Sequence, residues 1–258
     1  MKHLFYWLPV ALAVATPANA TESTVEATLE YTDFTGDFGE REVGTLQYDM
    51  DFGDTTVVLT GSQGRREFED STFHATRGSV AVYHDWTDWF STRTSAAVAT
   101  DDPVFPTLEF AQDLNFEVAP NLVLLAGGKY TRYFGDRDAW SWSGGATYYF
   151  RGGFVSYRYT GYDVEGLGNT HGHLASLRLN DPRGRGFTQF WLGAGTAVQE
   201  YEALPDVFEG DYRSVAVRRV QPLTDSLALN VAASHAWYDT GLIDYEGTTV
   251  RLGLSFSH

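Results

Sequence analysis

The sequence predicts an all-β fold: a single antiparallel up-and-down transmembrane β-barrel of about 14 strands, with 12 or 16 as the neighbouring even counts. Three observations lead there. Apolar and polar residues alternate strictly in runs of about ten residues, the length of a tilted strand crossing a bilayer. The connections between runs alternate between tight and long. The chain is rich in aromatic and glycine residues, with 17 Phe, 15 Tyr, 7 Trp and 26 Gly, and has no Cys. Such aromatic density suits the girdles at the two membrane interfaces.

The stretch 173–196 sets the pattern. Ala175, Leu177 and Leu179 alternate with Leu174, Ser176 and Arg178. Asn180-Asp181-Pro182-Arg183-Gly184 is a tight turn, because Pro presets φ, Gly supplies positive φ, and Asn and Asp bond their own backbone. Phe190, Leu192 and Ala194 then oppose Gln189 and Gly193, with Trp191 in the polar phase. This is a hairpin with one apolar and one mostly polar face.

Residues 1–20 read as a secretory signal peptide. Lys2 and His3 precede an apolar core at 4–16, and Ala18-Asn19-Ala20 is a small-residue cleavage site. That core is too short for a spanning helix. The barrel is then residues 21–258, and the expected address is the cell outer membrane. The mature chain holds 17 basic against 34 acidic residues, a balance that speaks against nucleic acid as a partner.

Strands are expected, in order, at 25–34, 44–52, 55–64, 75–84, 89–100, 108–119, 122–133, 139–150, 154–162, two in the hairpin, then 213–220, 227–237 and 248–258. Trp140 and Trp142 at one end of the eighth, with Tyr148 and Phe150 at the other, have the spacing of two girdles. Gly127-Gly128 and Gly144-Gly145 lie inside strands, where glycine allows close backbone approach. Outer loops are expected at 65–72, 163–171, 199–212 and 239–247. Tight periplasmic turns are expected at 53–54, 120–121, 151–153 and 181–186. The loop 101–107 carries Pro103 and Pro106. The last strand ends in His258, with Phe256 two residues earlier in the same phase.

The polar phase gives a candidate lumen. Its acids are Glu26, Glu30, Asp49, Asp51, Glu109, Asp113 and Glu117; its bases are Arg77, Arg93, Lys129, Arg158, Arg178, Arg218 and Arg251. Equal numbers of opposite charges can pair across the bore, which offsets the cost of withdrawing them from bulk water. They can also line a selective channel as separated stripes. Trp191, Tyr149 and Tyr162 face the same way and suit stacking on sugar rings or filling a closed lumen. His171 and His173 share one strand face near the outer mouth, within reach of Asp163 or Glu165, an arrangement suited to a metal or to base catalysis, and equally to two solvated side chains. No nucleophile elbow, zinc motif or phosphate loop occurs, so no cofactor is expected.

Several segments resemble the YaiO family of outer-membrane barrels: Ser62-Gln63-Gly64-Arg65-Arg66, Ala75-Thr76-Arg77-Gly78, Ser156-Tyr157-Arg158-Tyr159-Thr160, Arg178-Leu179-Asn180-Asp181-Pro182-Arg183-Gly184, Gln221-Pro222-Leu223-Thr224 and Trp237-Tyr238-Asp239-Thr240. The resemblance implies an outer-membrane barrel and brings no catalytic residues with it. Arg65 and Arg66 sit at the expected rim, where they pair with Glu67, Glu69 and Asp70 or bind lipopolysaccharide phosphates and sugar acids. The expected partners are outer-membrane lipids and lipopolysaccharide, the assembly machinery during biogenesis, and saccharides. Non-enzymatic passage or surface interaction of polar solutes is the leading reading. An enzyme acting on lipid or peptide at the outer rim, and a structural or adhesive surface protein, are the alternatives.

Overall fold

The computed structural model describes residues 20–36, 38–68, 71–165, 168–182, 185–197, 209–239 and 244–258. The expected signal peptide lies outside them but for Ala20. Among the described residues there are fourteen strands: β1 (Glu22–Phe34), β2 (Glu40–Asp51), β3 (Thr55–Phe68), β4 (Ser71–Thr87), β5 (Phe90–Ala99), β6 (Leu108–Ala119), β7 (Leu122–Tyr133), β8 (Arg137–Phe150), β9 (Gly153–Val164), β10 (Gly168–Asn180), β11 (Phe187–Ala197), β12 (Glu209–Pro222), β13 (Leu227–Asp239) and β14 (Asp244–Ser257). Each pairs antiparallel with its chain neighbours, and β1 pairs with β14 to close the barrel.

The closing seam shows how the alternation is used. Ala27, Leu29 and Tyr31 on β1 stand opposite Leu254, Leu252 and Val250 on β14, all facing outward. Thr28, Glu30 and Thr32 stand opposite Gly253, Arg251 and Thr249, all facing inward. Paired residues share a face, so one register assigns every side chain in the barrel to lipid or lumen. Trp140 and Trp142 are exposed on the outer wall at one end of β8, and Tyr148 and Phe150 at the other.

The end that carries both chain termini is closed by short turns. Asn121 and Gly152 take positive φ there, +68° and +95°, between β6 and β7 and between β8 and β9. The opposite end differs from the sequence expectation. β3 and β4 continue to Phe68 and Ser71, β9 and β10 to Val164 and Gly168, and β13 and β14 to Asp239 and Asp244. Most of the expected loops 65–72, 163–171 and 239–247 is therefore strand. These segments are mostly polar, which reads as loop, yet cross-strand pairing satisfies their backbone groups and Phe68, Val164 and Tyr245 pack on their inward face. Of the expected loop 199–212, residues 199–208 lie outside the described set.

The exception is 101–107. Val104 is fully buried and Phe105 nearly so, packed against Val43 and Ala75 of the inner wall. This segment folds back into the barrel. Gly64, facing it from β3, allows the approach: a Cβ there would meet Val104 Cγ1 at 2.5 Å and Phe105 Cζ at 2.9 Å.

Two expectations follow. Leu252 faces outward with 55 % of its surface exposed, while its neighbour Arg251 faces the lumen. L252R is expected to lower folding stability in lipid vesicles by about 2–4 kcal/mol, read by urea titration. At the terminal end, Arg219 donates to both carboxylate oxygens of Asp181 at 2.7 and 2.6 Å and holds that carboxyl below its ordinary value. The stabilisation is full above the ordinary aspartate pKa of about 3.9 and is lost as pH falls through the lowered folded value. D181N is therefore expected to be less stable than the parent at neutral pH and equal to it in strong acid, measured by urea titration at each pH.

Candidate functional site

The lumen holds a cavity of about 880 Å³ lined from β1 through β9 and by β14. Its charges are arranged around three carboxylates, each of which meets two cations. Glu30 accepts from Arg41 at 3.0 Å and from Arg251 at 2.6 Å. Glu109 meets Arg77 at 2.6 Å and Lys129 at 2.7 Å. Asp113 lies 3.5 Å from Arg93 and 3.7 Å from Arg158.

The register explains each reach. Glu30 and Arg251 are direct partners across the seam, and Arg41 stands opposite Thr32, one pleat above. Arg77 pairs with Ala99 and Glu109 with Ala97, so small side chains on β5 leave Arg77 room to cross that strand. Arg158 must cross β7 and β8 to approach Asp113. It pairs with Gly145, and Asp113 pairs with Gly127. A Cβ on Gly127 would collide with the Asp113 carboxylate and stand 2.9 Å from Ser143 Oγ. The glycine runs inside the strands thus open paths for charge across the wall.

Other candidates from the polar phase also face inward. Asp49 accepts from Gln47 at 2.9 and 3.1 Å. Arg218 lies 3.8 Å from Glu26 and 3.3 Å from Asn230. Arg178 donates to Asn180 and stacks 3.6 Å over the Phe187 ring. Asp51 and Glu117 stand at the terminal end of their strands, Asp51 accepting from the Gly53 amide at 2.7 Å. Trp191 and Tyr162 line a second, smaller recess across the lumen, and Tyr149 shares the inward phase of β8, opposite Phe154.

The outer mouth is narrowed by aromatic rings. Tyr245 stacks on Phe38 at 4.2 Å and on Tyr238 at 4.5 Å. Arg66 is buried beside them, 5.2 Å over the Phe34 ring.

With this geometry in place, the comparisons with known proteins can be read. Residues 22–202 match the family model described as the YaiO membrane beta barrel domain. The chain belongs to the YaiO family. Among solved structures it is similar to the toluene transporter TodX of Pseudomonas putida, at 8 % identity and a TM-score of 0.58, covering 92 % of this chain and 88 % of that one. It is similar to the outer membrane protein Omp33 of Acinetobacter baumannii, at 14 % identity and a TM-score of 0.53, over 93 % and 99 %. The translocator domain of the autotransporter NalP from Neisseria meningitidis gives 14 % identity and a TM-score of 0.51, over 93 % and 90 %. At these identities the likeness is one of fold alone.

The YaiO barrel separates the four rim candidates. Arg65 and Arg66 are consecutive in β3 and so face opposite ways. Arg65 is outside, 3.5 Å from Glu40, 3.7 Å from Glu42 and paired with Glu67. Arg66, at the same end of β3, points into the mouth and is buried there. His171 and His173 do come together, with ring centroids 5.3 Å apart, but on the outer wall. Their Nδ1 atoms hydrogen-bond with Thr196 Oγ1 at 3.1 Å and Tyr157 OH at 2.7 Å. Among the described residues, no group of three or more His, Cys, Asp or Glu is placed to hold a metal ion.

Two features escaped the sequence reading. Arg41 is buried and central to the Glu30 cluster, yet Glu40-Arg41-Glu42 reads as a polar loop. Its signal is that it continues the phase of Val43, Thr45, Gln47 and Asp49. The inward fold of 101–107 has a signal as well: two large apolar residues, Val104 and Phe105, in an otherwise polar connection.

Glu30 is buried between Arg41 and Arg251, so removing its charge leaves two cations facing each other in the wall. E30Q is expected to lower stability by about 3–5 kcal/mol, measured as the loss in urea midpoint of the refolded barrel. A loss below about 1 kcal/mol would make the cluster a solvated one.

Proposed function

We propose that this barrel is a non-enzymatic path for small polar solutes across the outer membrane, with the charged cavity as its bore and the 101–107 segment as its constriction. The observation that carries this reading is the cavity of about 880 Å³ inside a closed barrel, lined by paired charges and hydroxyls. A bore whose charges already satisfy one another stays hydrated without collapsing, and gives a polar solute hydrogen-bonding partners to exchange. Val104 and Phe105 pack on Val43 and Ala75 of the wall and line the cavity, so they act as its eyelet.

The inward Tyr149, Tyr162 and Trp191 support saccharides as one class of solute, since flat rings stack on sugar faces. Catalysis at the outer rim has less support. His171 and His173 are turned to the outer wall and their Nδ1 atoms are engaged by hydroxyl groups. The outward aromatic bands support membrane lipids, lipopolysaccharide included, as partners of the wall.

Single-channel recording in a planar bilayer tests the reading. The refolded chain is expected to give a steady conductance that rises with salt, and F105A is expected to raise it by about twofold or more, since a phenyl ring leaves the eyelet. Silence from a barrel shown to be folded by its heat-modifiable migration would overturn the passage reading.

A further inference from the structure

Toward the end that carries both chain termini, the inward faces of β10, β11 and β12 place three polar side chains in one row. Arg178 on β10 stands opposite Gln189 on β11, and Gln189 stands opposite Arg218 on β12. Paired residues share a face, so two guanidiniums flank one amide on the lumen wall. Both lean over the same ring: the guanidinium carbon of Arg178 lies 3.6 Å from the Phe187 centroid, and that of Arg218 5.9 Å. Two like charges gathered over one ring repel, and an anion between them relieves that repulsion.

The groups that orient these arginines are neutral. Arg178 donates from Nε to Asn180 Oδ1 at 2.9 Å, and Arg218 from Nη2 to Asn230 Oδ1 at 3.3 Å. An amide oxygen fixes the plane of a guanidinium without cancelling its charge. Arg77, Arg93, Lys129, Arg158 and Arg251 each meet a carboxylate within 3.7 Å. Among the described residues Arg178 meets none, and its two terminal nitrogens have no acceptor. Arg218 has one carboxylate, Glu26, at 3.8 Å, and keeps 36 % of its side-chain surface. The half-buried Gln189 side chain has no hydrogen-bond partner among the described residues.

We infer that the Arg178–Gln189–Arg218 row is a binding site for phosphate, free or carried on a small solute. The inference rests on the bore as the ligand's way in and names the class of solute that the bore takes. At the backbone, β10 and β12 lie two strand spacings apart, roughly 9.6 Å. A carboxylate presents its two oxygens along one edge, which a single guanidinium fork occupies. A phosphate carries nearly two charges and at least three acceptor oxygens. One of its edges meets Arg178, another meets Arg218, and the Gln189 amide donates from between them.

Calorimetric titration of the refolded full chain at low salt tests this, with inorganic phosphate, glucose 6-phosphate and acetate as probes. Inorganic phosphate is expected to bind at least about tenfold tighter than acetate; a smaller preference, or no binding by a folded barrel, overturns the inference. Glucose 6-phosphate binding as tightly as phosphate or tighter makes the ligand a phosphate carried on a solute; weaker binding makes it the free ion. R178Q is expected to bring phosphate to within about threefold of acetate. R178K keeps the charge and gives up the fork, and is expected to lose about threefold or more in phosphate affinity. Either variant, folded and binding phosphate like the parent, overturns the assignment to this row. The parent comparison needs no variant to fold. Phosphate binding without conductance would keep the site and overturn passage; conductance without the phosphate preference would do the reverse.

Discussion

Pairing of β1 with β14 is the constraint on which the rest of the molecule depends. In hydrocarbon an unpaired backbone N–H or C=O costs several kcal/mol, and an open sheet would present a full row of them on each edge. The seam runs from Thr24–Ser257 to Phe34–Gly247, so both edges are satisfied along nearly their whole length. With no cysteine in the chain, no covalent bond assists it. Stability resides in the ladder, and every inward side chain is then free to be polar without weakening the frame.

Closure also fixes the chemistry of the interior. Once the register is set, the inward phase of each strand is determined, and a charged residue in that phase has only the opposite wall and its strand neighbours as partners. Small residues decide which partners it reaches. Ala97 and Ala99 let Arg77 cross β5, and Gly127 and Gly145 let Arg158 approach Asp113. Gly64 serves the same purpose for a loop rather than a charge. The interior is therefore shaped as much by where side chains are missing as by where they are large.

Much of this was legible in the amino-acid order, for a physical reason. A wall between lipid and water imposes a two-residue period, which survives in the sequence as alternation. Hence the strand count, the girdles of β8 and the inward phase of most lumen charges could be read directly, and the family likeness agreed with them. Beyond the bilayer the outward face turns polar too, so the period loses contrast although the inward face there still buries Arg41, Val164 and Tyr245. That is why the outer ends of β2, β3, β4, β9, β10, β13 and β14 read as loops and why Arg41 lies outside the expected strands. The inward path of 101–107 depends on contacts with Val43, Gly64 and Ala75, distant in sequence, so Val104 and Phe105 mark it locally as apolar without saying where it packs. Pairing distances are likewise beyond sequence, since they depend on how far each long side chain must stretch.

Those distances grade the lumen from rigid to yielding. On the β1–β2–β14 side, Arg41 and Glu30 are almost fully buried and bonded at 3.0 Å, and Arg251 closes on the same carboxylate at 2.6 Å. Rearranging that cluster would leave a charge unpaired in the wall, at a cost of several kcal/mol. Around Asp113 the contacts are longer, 3.5 Å to Arg93 and 3.7 Å to Arg158, while Glu109 nearby is held by Arg77 and Lys129 at 2.6 and 2.7 Å. The wall around Glu30 is thus held more tightly than the wall around Asp113.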